Sequence, residues 1–197
     1  MVDHIDWIRP RENTVEALVY GMEQSDGVEL DLRLTQDQRL ILHHDSKTEF
    51  GEYPECLTID ELPDYVEPID DLLANKDFIR RWTEEGAFTC IEFKSPHPSS
   101  GKAGGWFNGK EKEQHMIKMI QKLDELLQPI ERSSSSTVIY SFDPKIISAS
   151  KKINTNLEFS RLRPNIRSWG NWTTQRIIAT PSFLANSLPK LIDRQRE

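Results

Sequence analysis

The chain has 197 residues and a net charge of −7, with 37% hydrophobic and 29% charged residues. This composition is typical of a globular protein, and its acidic balance argues against a general nucleic-acid binder. No apolar run approaches the roughly 18 residues that span a bilayer, and a signal-peptide pattern is lacking. The two cysteines lack the spacing of a disulfide framework, so we expect a cytoplasmic location.

The length is enough for one domain with a sizeable core, and we predict a single domain over residues 1–197. The charge is unevenly distributed, because residues 1–100 carry −14 and residues 101–197 carry +7. A basic C-terminal part of this kind favours a phosphate-bearing substrate or an acidic partner face.

In the first half of the chain, strand and helix patterns alternate. A helix is predicted to begin at Asn13 as its N-cap, because Glu16 follows three residues later and apolar residues recur at helical spacing up to Met22. The next elements are a strand carrying Glu29 and Asp31, a turn at 35–38, a strand at 39–44, a loop at 46–68, a helix at 70–85 and a strand at 87–94.

The same alternation continues after a Ser/Pro/Gly-rich loop at 95–109. A helix is predicted from Met116, Ile120, Leu123 and Leu127, which recur on one helical face. His97 and His115 are expected on the surface. Strands at 137–141, 157–160 and 176–180 and helices at 144–153 and 182–194 complete the order, which predicts an α/β fold with a parallel sheet.

The strand after the first helix contains two carboxylates one residue apart, Glu29 and Asp31. Side chains alternate between the faces of a strand, so both carboxylates point to the same side. Such a pair repels unless a proton or a cation lies between them, and Mg²⁺ or Ca²⁺ prefers oxygen ligands of this kind. His44, at the end of the following apolar run, could transfer protons near neutral pH. The pattern predicts a metal-assisted hydrolytic site.

Further polar residues lie at or near the ends of predicted strands, among them Glu92, Lys94 and Ser141. Catalytic residues converge in this way at the C-terminal face of a (β/α) barrel. An open doubly wound sheet would also bind ligands at its strand ends, but no glycine-rich phosphate loop follows any of these strands.

Several of these segments together resemble the glycerophosphodiester phosphodiesterase family. The similar segments follow the family's order and are His4, Arg11-Glu12-Asn13-Thr14, Val28-Glu29-Leu30-Asp31-Leu32, Leu34-Thr35-Gln36-Asp37, Ile41-Leu42-His43-His44-Asp45, Ile91-Glu92-Phe93-Lys94 and Tyr140-Ser141-Phe142-Asp143-Pro144. The resemblance extends over about residues 4–160 and is most specific from Glu12 to Asp45.

The resemblance implies a TIM-barrel-like (β/α)₈ fold of the phospholipase-C-like phosphodiesterase type. It also implies hydrolysis of glycerophosphodiesters to glycerol 3-phosphate and an alcohol with one divalent cation, Mg²⁺ or Ca²⁺. By position, Glu29, Asp31 and Glu92 would bind the metal, His4 and His44 would act as acid and base, and Lys94 would contact the substrate phosphate. The implied partner is a small-molecule phosphodiester rather than a nucleic acid.

The sequence departs from the family pattern at two places. His4 is followed by Ile5-Asp6 where the family has Arg-Gly, and we hypothesise that Arg9 or Arg11 replaces the missing guanidinium. The chain is also shorter than the roughly 250 residues of a complete barrel, so we expect about seven strands without the family's last one. The edges left unpaired would be covered by the 161–176 segment or by a second subunit in a homodimer.

Two alternative functions remain open. One is hydrolysis of lysophospholipids or other phosphodiesters, with Trp106-Phe107 as a lid over the substrate alcohol. The other is a catalytically impaired barrel that binds phosphate or a partner protein, which the missing Arg-Gly favours.

Overall fold

A computed structural model of the protein describes residues 9–101, 109–131, 136–164 and 177–181. The α-helices in these ranges are α1 (Val15–Gln24), α2 (Ile69–Ala74), α3 (Lys76–Thr83), α4 (Gly109–Leu127) and α5 (Lys145–Ser150). The strands are β1 (Gly27–Leu34), β2 (Leu40–Leu42), β3 (Phe88–Phe93), β4 (Thr137–Ser141), β5 (Phe159–Pro164) and β6 (Ile177–Pro181). Short 3₁₀ helices lie at Pro54–Cys56, Ile59–Glu61 and Pro98–Ser100.

The six described strands form one sheet in the order β2-β1-β3-β4-β5-β6. The four central strands are parallel, as predicted, whereas β2 and β6 pair antiparallel with their neighbours. The predicted parallel sheet is therefore confirmed for the four central strands, and the two edge strands of the described sheet depart from it. At β2 the reason is the short connection through residues 35–39, which includes a turn with φ of 64° at Gln38. A parallel crossover needs a dozen or more residues.

One face of the sheet packs against the helices and forms the main apolar core. Leu30 and Leu32 of β1 and Ile91 and Phe93 of β3 belong to this core. They are joined by the predicted apolar residues of α4, which are all buried: Met116, Ile120, Leu123 and Leu127. Burial of each such side chain stabilises the folded state by about 1.5–3 kcal/mol. The packing of the helices therefore stabilises this face of the sheet.

Alternate residues of the same strands lie on the opposite face, which we call the polar face. In β1 it carries Glu29, Asp31 and Arg33, and the parallel register adds Glu92 and Tyr140 from β3 and β4. The packing of the apolar face thus determines which side chains are presented together on the polar face.

Two helix boundaries differ from the predictions. The helix predicted at 70–85 is divided into α2 and α3, because Asn75 caps α3 by accepting a hydrogen bond from the Phe78 N–H at 3.0 Å. Helix α1 begins after Thr14 rather than after Asn13, since the Thr14 hydroxyl accepts the Ala17 N–H at 3.2 Å. Asn13 instead has a φ of 55° and takes part in the site described below.

Several predictions fall on other parts of the chain. His4, the Trp106-Phe107 lid and the helix at 182–194 lie outside the described residues. Among the helices that are described, none combines the length and the apolar character needed to cross a membrane. The predicted homodimer stays a prediction.

The surface location predicted for His115 is wrong, because this α4 residue is only 9% exposed. Burial lowers the pKa of His115 to about 4, and the charges of Arg33 and Lys118 act in the same direction. A histidine that is neutral when folded and charged when unfolded destabilises the folded state in acid. Its contribution to stability is complete above the unfolded pKa of about 6.5 and is lost as the pH falls towards 4.

We predict that His115→Leu makes the protein less sensitive to acid. Between pH 7 and pH 5, the unfolding free energy of the parent should fall by about 2 kcal/mol more than that of the variant. Urea unfolding at the two pH values measures this difference, with His97→Gln as a matched histidine control. Equal losses in the parent and in His115→Leu would contradict the prediction.

Candidate functional site

The parallel pairing of β1 with β3 brings acidic residues from distant parts of the sequence together. In this register Asp31 lies beside Glu92 and Glu29 lies beside Cys90, while Glu92 lies beside Tyr140 of β4. Glu29, Asp31 and Glu92 all belong to the polar face by strand alternation. The sheet therefore assembles a three-carboxylate cluster from two strands.

The three carboxylates are close enough to share one cation. One oxygen from each of Glu29, Asp31 and Glu92 can be chosen so that all three lie within 4.8 Å of one another. Asp31 and Glu92 are buried, whereas Glu29 is exposed to solvent. Three carboxylate oxygens with one side open to solvent suit a hard divalent cation, which completes its coordination with water or substrate oxygens.

Lys94 neutralises part of this negative charge. Its ammonium nitrogen lies 2.9 Å from Asp31 Oδ1 and 2.9 Å from Glu92 Oε1. The Lys94 side chain is largely buried, and its backbone N–H donates to the Leu32 carbonyl at 3.0 Å, which extends the β1–β3 pairing beyond the strand. The ammonium therefore lies beside the same carboxylates that a metal would use.

The environment of the cluster favours protonation of Glu29. Although Glu29 is partly exposed, the surrounding protein desolvates its carboxylate. This desolvation, followed by the charge of Asp31, raises the pKa of Glu29 from 4.5 to about 7. The Tyr140 hydroxyl donates a hydrogen bond to Glu29 Oε1 at 3.0 Å and opposes this shift. Burial likewise raises the pKa of Glu92, while its hydrogen bond to Lys94 opposes the rise. A bound cation would relieve the repulsion among these acids.

Asn13 fixes the position of Asp31. Its side-chain amide donates to Asp31 Oδ2 at 2.6 Å, and its carbonyl oxygen accepts the Asp31 backbone N–H at 2.9 Å. Asparagine tolerates the left-handed backbone that this position requires better than most residues do. The local pattern around Asn13 predicts only a helix cap and does not indicate this role, because its partner is 18 residues away.

His44 lies in the loop that follows β2. Its ring nitrogen Nδ1 is 3.0 Å from Asp45 Oδ1, and both side chains are exposed. If Nδ1 carries the proton in this contact, Nε2 is free to accept one. The hydrogen bond from His44 lowers the pKa of Asp45 and keeps it ionised as a partner.

The neighbouring residue His43 has a different environment. Its Nε2 lies 3.2 Å from the Lys47 carbonyl oxygen, and burial lowers the pKa of the ring. His43, His44 and Asp45 line a cleft together with Arg11 and Tyr65. Of the two histidines, His44 has the more exposed side chain.

The structure thus brings together four of the predicted site residues, Glu29, Asp31, Glu92 and Lys94. A positive charge on His44 would lower the pKa of Glu92, so His44 lies within electrostatic range of the cluster, although its hydrogen-bond partner is Asp45. Tyr140 was not predicted as a site residue, and its position beside Glu92 depends on the pairing of β3 with β4.

Comparison with known proteins supports the resemblance found in the sequence. Residues 5–85 match the model of the Glycerophosphoryl diester phosphodiesterase family, which confirms the family resemblance over this part of the chain. No curated protein matches the chain.

Solved structures of this family are similar in fold. A glycerophosphodiester phosphodiesterase from Parabacteroides distasonis is 16% identical, with a TM-score of 0.56 over 78% of this chain and 59% of its own. The Thermotoga maritima enzyme is 18% identical, with a TM-score of 0.53 over 92% and 64%. An Oleispira antarctica phosphodiesterase in complex with the product sn-glycerol-3-phosphate is 15% identical, with a TM-score of 0.60 over 82% and 64%.

These similarities confirm the predicted TIM-barrel-like fold, of which the described sheet is an incomplete part. The chain spans 59–64% of the length of these three proteins.

We predict that Lys94→Met binds a divalent cation more tightly than the parent. The ammonium repels a cation that approaches Asp31 and Glu92, so its removal should lower the Kd for Ca²⁺ on the order of 10-fold. Calorimetric titration with Ca²⁺ measures this change. Lys122→Met is the matched control, since Lys122 forms an exposed ion pair with Glu125 at 2.8 Å. Unchanged or weaker Ca²⁺ binding by Lys94→Met would contradict the prediction.

Proposed function

We propose that the chain hydrolyses glycerophosphodiesters to glycerol 3-phosphate and an alcohol with the help of one divalent cation, Mg²⁺ or Ca²⁺. The observation that carries the proposal is the cluster of Glu29, Asp31 and Glu92 with Lys94 between two of its members. The bound sn-glycerol-3-phosphate in the Oleispira antarctica phosphodiesterase supports the choice of substrate.

In this proposal Glu29, Asp31 and Glu92 hold the cation, and Asn13 and Tyr140 orient two of these ligands. When bound, the cation would neutralise charge that develops on a phosphoryl oxygen and would help to orient the phosphate. The hydrogen bonds to Asp31 and Glu29 limit rotation of their carboxylates, which is the usual role of groups around metal ligands.

Lys94 is the candidate phosphate-binding residue. It follows Glu92 by two positions, and its ammonium can reach a phosphate oxygen on the same side. A substrate phosphate would provide a further anionic partner for an ammonium that is now shared between Asp31 and Glu92. The proposed role of Lys94 is to bind and orient the phosphate.

His44 is the candidate for proton transfer at phosphorus. In-line displacement requires a base that takes a proton from the attacking oxygen and an acid that gives one to the leaving oxygen. His44 Nε2 would perform one of these transfers while Asp45 holds Nδ1. We assign the other transfer to His4, by its resemblance to the family's first histidine.

The order of steps that we propose uses the substrate's own hydroxyl. The glycerol hydroxyl beside the phosphate loses its proton to one histidine and attacks phosphorus, and the alcohol leaves with a proton from the other. The resulting cyclic phosphate is opened by water, with the two histidines in exchanged roles. This scheme requires an acid and a base on opposite sides of the phosphate.

The activity is tested by glycerol phosphate release from glycerophosphocholine with Mg²⁺ or Ca²⁺. We expect EDTA to abolish release and metal to restore it. Asp31→Asn should lower kcat/KM by at least about 100-fold, because it weakens the cation site. His44→Ala should lower kcat by about 10²–10⁴-fold, because proton transfer is lost.

Glu125→Gln on the exposed side of α4 is the control and should behave like the parent. Activity that survives chelation would contradict the metal-dependent proposal. No release from any phosphodiester, together with retained phosphate binding, would favour the catalytically impaired barrel. A preference for lysophospholipids would favour the other alternative.

A separate prediction concerns the missing family arginine. The Arg11 guanidinium stacks on the Tyr65 ring, with its central carbon 3.3 Å from the ring centroid, and lines the cleft beside His44. If Arg9 or Arg11 binds the substrate phosphate, Arg9→Ala/Arg11→Ala should raise KM by about 10- to 100-fold, the value of a lost charged hydrogen bond. Steady-state kinetics measure this effect, with the α3 surface variant Arg80→Ala as control. An unchanged KM in the double variant would exclude the hypothesis.

A further inference from the structure

Arg33 is a buried charged residue on the polar face of β1. It follows Asp31 by two positions, so its side chain leaves the strand on the same face as the carboxylate cluster. Its partner, Glu55 of the first 3₁₀ helix, is equally buried, with side-chain exposures of 5% for Arg33 and 2% for Glu55. The proposed function gives no role to this ion pair.

The Arg33 guanidinium connects three separate segments. Nη1 donates to Glu55 Oε1 at 2.7 Å and to the Ser95 carbonyl at 3.1 Å, and Nη2 donates to the His44 carbonyl at 3.0 Å. Ser95 follows Lys94 directly in the chain. The loop that carries the candidate acid or base and the loop that carries the candidate phosphate ligand are therefore tied to one side chain.

A guanidinium is suited to this position by its geometry. Its planar group of donors can reach a carboxylate and two carbonyls in different directions at once, whereas a lysine has a single nitrogen. Burial raises the pKa of Glu55, and the charge of Arg33 opposes that rise and favours the ionised partner.

The ion pair is not explained by stability alone. The desolvation of two buried charges offsets most or all of their attraction, and well-packed apolar residues often replace such a pair without loss. Within the described residues, Arg33 Nε and Glu55 Oε2 are also buried without a hydrogen-bond partner, which adds to the desolvation cost. The advantage of the pair is therefore the position that it gives to the two loops whose carbonyls bond to Arg33.

We infer that Arg33, held in place by Glu55, is a positioning residue that sets the places of His44 and Lys94 relative to Asp31 and Glu92. The inference rests on the proposed function for the roles of His44 and Lys94. Arg33 acts on these residues through two backbone carbonyls, that of His44 itself and that of Ser95, the residue after Lys94. Its proposed role is to fix their positions rather than to bind the substrate.

The test separates positioning from stability by comparing Arg33→Met, Glu55→Met and the double variant. Each single change leaves one buried charge unpaired and should lower Tm, whereas the double variant should recover much of the loss. The kcat for glycerophosphocholine should fall about 10- to 100-fold in Arg33→Met and in the double variant, because His44 is displaced, and KM should rise, because Lys94 is displaced from the phosphate. Arg33→Lys should also lose kcat, because the single nitrogen of a shorter side chain cannot occupy both positions from which the guanidinium nitrogens reach the two carbonyls.

A matched control is Arg39→Gln, which removes the exposed ion pair between Arg39 of the β1–β2 turn and Asp70. Its kcat should equal that of the parent. A double variant that regains both Tm and full kcat would overturn the inference, because Arg33 would then serve only the packing of the fold.

A second readout does not depend on catalysis. Amide hydrogen exchange in the loops at 43–47 and 94–97 should accelerate in Arg33→Met and in the double variant, but not in Arg39→Gln. Unchanged exchange in these loops would overturn the inference even if the parent proved inactive. An inactive parent with accelerated loop exchange would contradict the proposed function and leave the positioning role of Arg33 supported.

Discussion

The candidate site depends on the parallel pairing of β1 with β3 in the register that sets Asp31 beside Glu92. A shift of one residue would turn one of these carboxylates into the apolar core, since strand side chains alternate between faces. The register is enforced from the other side of the sheet, where Leu30, Leu32, Ile91 and Phe93 pack against the helices. Hydrophobic packing on one face thus determines the geometry of the acidic cluster on the other face.

Two basic side chains, Lys94 and Arg33, offset part of the negative charge on the polar face. Lys94 bridges Asp31 and Glu92. Glu29 accepts a hydrogen bond from Tyr140, and its pKa is raised by desolvation and by the charge of Asp31. Arg33 and Glu55 form a second buried pair one strand repeat further along β1. Because buried charges stabilise little on balance, their arrangement is better explained by the positions they impose on the loops.

The fold was predictable to the extent that local patterns decide it. The helical spacing from Met116 to Leu127 identified α4, and strand alternation correctly put Glu29 and Asp31 on one face. The break at Asn75, the antiparallel edges and the burial of His115 were not predictable in this way. These three features depend on residues distant in the chain or on the length of a connection. The periodicity of apolar residues contains no information about either.

The sequence by itself determined the acidic strand, the His-Asp pair after it, the Glu-x-Lys strand end and their resemblance to a family of phosphodiesterases. These are local features, because alternation and apolar spacing act over a few residues. Only the tertiary structure decided that Asn13 holds Asp31, that Tyr140 holds Glu29 and that Arg33 reaches His44 and Ser95. These contacts join residues 11 to 111 positions apart, and their geometry arises when the strands pair and the loops fold over the sheet.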